Sequence, residues 1–114
     1  RNKENIIDVD LKEMKNVLDQ EEINLILTKI NEIENNDDPN YLLYAQDVLF
    51  SYSGYIYPEL LNNKNINDVS CAISLYVDSL FNNEEDFENK VNIYSASLNE
   101  VNKIFDEISD SMLY

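Results

Sequence analysis

The sequence predicts an all-α protein, a compact antiparallel bundle of four to five helices that ends in a long C-terminal helix. Apolar residues recur at spacings of three and four along most of the chain, no stretch alternates apolar and polar positions as a half-buried strand would, and 114 residues hold one glycine and two prolines. A chain of this length with 44% hydrophobic residues can bury the core of one domain. That domain is read as residues 1–114, with 1–9 as a disordered lead-in.

The elements follow in order. In "LKEMKNVL" the residues Leu11, Met14, Val17 and Leu18 mark a short amphipathic helix over about 10–18, capped by Asp8 or Asp10. Asp19 with Glu22 three residues later resembles a capping box. It opens a helix over about 20–34 whose Ile23, Ile26, Leu27, Ile30 and Ile33 share one face. Asp38 before Pro39 is an N-cap followed by proline at the first helical position, where its missing N–H costs nothing. The helix it starts, about 39–53, has Tyr41, Leu42, Leu43, Tyr44, Ala45, Val48, Leu49, Phe50 and Tyr52 around most of its circumference, the pattern of a central helix surrounded by others.

"FSYSGYIYPELL" then reads as a corner. Gly54 stands where a helix ends in a left-handed residue, Tyr57 is pushed toward extended backbone by Pro58, and "PELL" supplies one further turn. Asn65 or Asn67 caps a helix over about 66–81, with Val69, Ala72, Ile73, Tyr76, Val77 and Leu80 on one face and Asn82 and Asn83 as its stop. Finally Phe87, Val91, Tyr94, Leu98, Val101, Phe105, Ile108 and Met112 alternate steps of four and three, a heptad seam over about 85–112. One continuous helix of that length would run about 42 Å. It either packs inside the chain or offers an assembly surface.

Little chemistry is available. There is no histidine, so no Ser-His or Cys-His pair and no imidazole ligand, and Arg1 is the sole arginine. Cys71 stands alone, which excludes an intrachain disulfide and a two-cysteine redox motif and fits a reducing, cytoplasmic setting. Acid pairs such as Glu21–Glu22 and Glu84, Glu85 and Asp86 sit at expected helix starts, where they complement the helix dipole. Asn63, Asn65 and Asn67 alternate like a calcium loop but lack its glycine and its bidentate acid. The expectation is a non-enzyme without cofactor or metal. No run of apolar residues is long enough for a membrane span, and the chain begins at Arg1, which suggests a piece of something longer.

Binding is what remains. With 23 acids against 8 bases the net charge is −15, a field that repels nucleic acid and anionic lipid and favours a basic protein partner. Asp37, Asp38, Asp47 and Glu59 surround the corner, and no lysine or arginine occurs between Lys29 and Lys64. Tyr52, Tyr55 and Tyr57 cannot all face one core, and an exposed tyrosine brings a large apolar ring with a polar tip. These seven residues form the expected partner-binding surface.

"DQEEINLIL", a second helix, "YIYP", and "VSCAISLY" eleven residues on together resemble the immunity proteins of nuclease colicins and pyocins over roughly residues 18–80. That resemblance implies a small acidic four-helix inhibitor of a basic nuclease toxin, with Ile56, Tyr57 and Pro58 in place of a Tyr-Tyr-Pro motif. The chain departs from the family in Ile56, in a mid-chain helix with fewer acids, and in its long C-terminal seam. Two other readings stand beside it: an interaction or assembly domain cut from a larger protein, with the seam as its surface, and a nucleic-acid-mimicking inhibitor.

Overall fold

A computed structural model of the chain describes residues 20–81 and 86–113. The helix expected over 10–18, the lead-in 1–9, the Asp19 cap, the Asn82–Asn83 stop and the acids Glu84 and Glu85 lie outside the described residues. Those residues form an all-α bundle with no strand among them: α1 over 20–34, α2 (Pro39–Ile56), a 3-10 turn (Leu61–Asn63), α3 (Ile66–Leu80), α4 (Phe87–Tyr94) and α5 (Leu98–Ser111).

Local chemistry sets the helix starts. The Asp38 side chain accepts from the Asn40 N–H at 2.9 Å with Pro39 at the first helical position, and Asn65 accepts from Asn67 at 2.8 Å and from Asp68 at 3.3 Å. Asp86 caps α4 through the Glu88 N–H at 3.1 Å. Each cap satisfies N–H groups that have no partner inside the helix.

The apolar stripes of all five helices merge into one buried cluster, from Ile23, Ile26 and Ile30 on α1 to Val101, Ile104 and Ile108 on α5. Its centre is α3, not α2 as the sequence suggests. From Asp68 to Asp78 only Tyr76 escapes full burial, and α3 packs against α2, α4 and α5. Small side chains explain how: Ser70, Cys71, Ala72 and Ser74 let neighbours approach from every side.

Gly54 does not end α2. No glycine has a positive φ, and the helix continues to Ile56 because Tyr52, Ser53 and Ile56 still face the core. Pro58 stops it by holding Tyr57 extended at φ −52, ψ 136. The turn expected at "PELL" forms later, over Leu61–Asn63, where Leu61 is drawn into the core.

The long C-terminal helix is two helices. Ser95 takes a left-handed conformation (φ 54, ψ 44), and the Ala96 N–H reaches back to the Val91 carbonyl at 2.9 Å, closing α4. The first turn of α3 fixes the break: Asp68 accepts from the Ser97 N–H at 2.9 Å, and the Asn67 amide donates to the Ser95 carbonyl at 3.3 Å. Because Ser95–Ser97 nearly preserves the register, all eight seam residues still lie in the core or pack against it. Phe105 meets Tyr76 and Phe87 at ring centroid distances of 5.8 and 5.1 Å. The seam is thus used inside the chain.

Candidate functional site: the outer face of α2

A helix that is apolar all round is normally buried all round. α2 is not. Tyr41, Ala45, Val48, Leu49, Tyr52 and Ser53 face the core, while Leu43, Tyr44, Phe50 and Tyr55 are 57%, 47%, 38% and 46% exposed. At 3.6 residues per turn, Leu43, Tyr44, Asp47, Phe50, Gly54 and Tyr55 fall within an arc of roughly 140° that faces outward. Asp47 is the one charged residue between Pro39 and Tyr57, in a chain that is 27% charged. Charge depletion with aromatic enrichment marks the centre of protein interfaces.

The expected surface residues divide. Tyr52 is fully buried, and its hydroxyl donates to Glu107 Oε1 at 3.0 Å, so it belongs to the core. Burial, with Glu107 beside it, pushes its pKa above the usual tyrosine value. Tyr55 and Tyr57 are exposed at the C-terminal end of α2, and Asp47 is exposed midway. Asp37 and Asp38 are exposed at the other end, about 27 Å away along the 18-residue helix. They do not surround the tyrosine corner. Glu59 is at the corner but pairs with Lys64 at 3.1 Å, so the base nearest in sequence folds back onto it.

The N-terminal end of α2 has its own feature. Phe81, just past α3, packs on Tyr41 and Tyr44 with ring centroids at 5.7 and 5.5 Å. Beside it Asn40, Tyr44, Leu80 and Phe81 line an open groove of about 360 Å³. Leu80 is 47% exposed there. Leu43, Tyr44, Phe50, Leu80 and Phe81 were all assigned by periodicity to core faces or not singled out at all. The readable signal was the charge-free stretch around Asp47.

One cluster of titratable side chains lies elsewhere. Lys90 Nζ donates to both oxygens of Glu34 at 2.8 and 2.7 Å and forms an ion pair with Asp78 Oδ2 at 2.8 Å. Tyr94 donates to Glu34 at 2.6 Å and Tyr41 to Asp78 at 2.9 Å. Burial acts against the Lys90 charge, but the Asp78 and Glu34 carboxylates outweigh it and raise its pKa. Burial raises Tyr41, joined by Glu34 and Asp78, and raises Tyr94, joined by Glu34. Lys90, Tyr41 and Tyr94 are nearly inaccessible, and the cluster ties α1, α2, α3 and α4 together. Burial also pushes the Cys71 thiol up to about 12, which leaves it protonated at neutral pH.

Among the described residues no group of three or more acidic or thiol side chains is placed to hold a metal ion, and no helix is long and apolar enough to cross a membrane. Comparison with protein-family models, with characterised proteins and with solved structures gives no significant match.

Proposed function

We propose that this chain is a non-catalytic protein-binding domain that holds a basic protein partner on the outer face of α2. The observation that carries the reading is the surplus apolar face itself: Leu43, Tyr44, Phe50 and Tyr55 stand in solvent on a helix whose other side already completes the core. Exposed aromatics in a charge-poor strip supply anchors, and the net charge of −15 supplies long-range attraction for a cation-rich partner. In its most concrete form the domain is an inhibitor of the immunity-protein kind that neutralises a basic, nuclease-type toxin, a form supported by the resemblance over residues 18–80. Asp37, Asp38, Asp47, Tyr55, Tyr57 and Glu59 remain its proposed contacts, now as the ends and rim of one long face. Excision from a larger assembly protein is the second reading, with the α2 face rather than the seam as its surface, because the seam residues are used in the core.

The test is binding of a purified basic protein recovered on the immobilised domain. The reading predicts an association rate that falls steeply with added salt and an affinity loss of at least about tenfold in Tyr55→Ala, an exposed aromatic whose removal leaves the core intact. Retention that ignores both salt and Tyr55→Ala would overturn it.

A further inference from the structure

Gly54 is the only glycine in the chain and lies inside α2, where glycine is costly relative to alanine. Nothing in the fold asks for it. Its φ is not positive, it ends no helix, and a Cβ built on it would meet, among the described residues, no atom within 4 Å beyond its own stretch of helix. It is exposed, on the same outward arc as Leu43, Asp47 and Phe50. A residue with no side chain and no internal reason for lacking one permits close approach from outside.

We infer that the occupant of this face is a basic amphipathic helix of the partner, which crosses α2 at Gly54. The inference rests on the docking role proposed above. The strip from Leu43 to Tyr55 runs along about 18 Å of α2, the reach of about three turns of a facing helix. Helix axes pack at about 8–10 Å according to the side chains at the crossing, and glycine there gives the closest approach. Phe50, one turn before Gly54, then borders the crossing, Leu43 continues the contact two turns further along α2, and the groove between Tyr44, Leu80 and Phe81 receives an apolar anchor from the incoming helix. Asp37, Asp38 and Asp47 select cationic residues beside that anchor, with no lysine or arginine between Lys29 and Lys64 to oppose them. A second copy of the chain fits less well, because it brings another −15 charges to the same face.

The probe is a labelled synthetic helix of leucine and lysine with its leucines on one face, titrated into the full chain. Wild type binds it, and Gly54→Ala binds it at least about tenfold more weakly while melting no lower than wild type, since the added methyl group obstructs only the partner. Asn102→Ala on α5 leaves the affinity unchanged. A scrambled peptide of the same composition, with no apolar face, binds much more weakly. Equal binding of the probe to wild type and Gly54→Ala overturns the crossing, and equal binding of the scrambled peptide overturns the helical partner. Self-association of wild type that Gly54→Ala abolishes gives the face to a second copy and also overturns the inference. If the probe does not bind, the helical partner falls, whereas the docking role itself stands or falls on the salt dependence and Tyr55→Ala response of the recovered basic protein.

Discussion

Lys90 Nζ lies 2.7 Å from Glu34 Oε2 across 56 residues of sequence, and the same ammonium reaches Asp78 at 2.8 Å. One buried cation thus serves a buried carboxylate and a half-buried one. Lys90→Met leaves the two acids facing each other without it, and removing one partner of a buried ion pair costs about 3–5 kcal/mol. Urea unfolding checks this. The triple variant Lys90→Met, Glu34→Gln, Asp78→Asn is expected to recover much of the loss, because no charge is then stranded.

That cluster, together with the buried Tyr52–Glu107 pair, predicts lability in alkali. Tyr41, Tyr52, Tyr94 and Lys90 all have folded pKa values raised above their unfolded ones, in each tyrosine chiefly through burial. The folded state therefore holds protons that the unfolded state releases. The stability this contributes is fully present below about pH 10, the unfolded value for these groups, and declines as pH rises beyond it, by about 1.4 kcal/mol per pH unit for each group. Stability measured against pH, together with tyrosinate absorbance, checks the prediction: Tyr41, Tyr52 and Tyr94 ionise with unfolding and not before.

The break between α4 and α5 gives substitutions of opposite sign. Ser95 holds a left-handed backbone that disfavours any residue with a Cβ, and its side chain is exposed, so Ser95→Gly raises stability by about 1 kcal/mol. Asp68→Ala removes the carboxylate that accepts from the Ser97 N–H at 2.9 Å, a charged hydrogen bond worth about 1.5–3 kcal/mol. Thermal melts of the two variants are expected to move in opposite directions.

Much of the fold was legible because caps and stripes are local. Asp38–Pro39 and Asn65 marked their helix starts, and every heptad-seam residue reached the core. The break at Ser95 was not read, since the seam continues through it with almost unchanged register; Ser97 with Glu100 three residues on was the available signal, a capping-box spacing inside the seam. Gly54 misled in the opposite direction, because a glycine near a proline suggests a terminus while tertiary contacts of Tyr52, Ser53 and Ile56 carry the helix past it. The Lys90 cluster left faint traces: Lys90 sits between Phe87 and Tyr94 on the core side of α4, and Glu34 extends the row of Ile23, Leu27 and Ile30. Pairing them needs the tertiary fold.

The candidate site was legible as chemistry but not as geometry. Acids and tyrosines near the corner were visible in sequence, and the Asp38 cap already put Asp37 and Asp38 at the far end of α2, yet only the fold shows that Tyr52 points inward and that Lys64 returns to Glu59. Counting apolar positions around α2 could not separate them into a buried and an exposed half, because that depends on how many neighbours the helix has.

The central claim is that the outer face of α2 is surplus to the fold. Urea unfolding of the double variant Leu43→Ser, Phe50→Ser tests it most directly. Leu43 is 57% and Phe50 38% exposed, so a face open to solvent predicts a loss of no more than about 2 kcal/mol, the share of the two side chains that their own helix already covers. A loss of several kcal/mol would mean that the face is covered within the chain, and would contradict the claim.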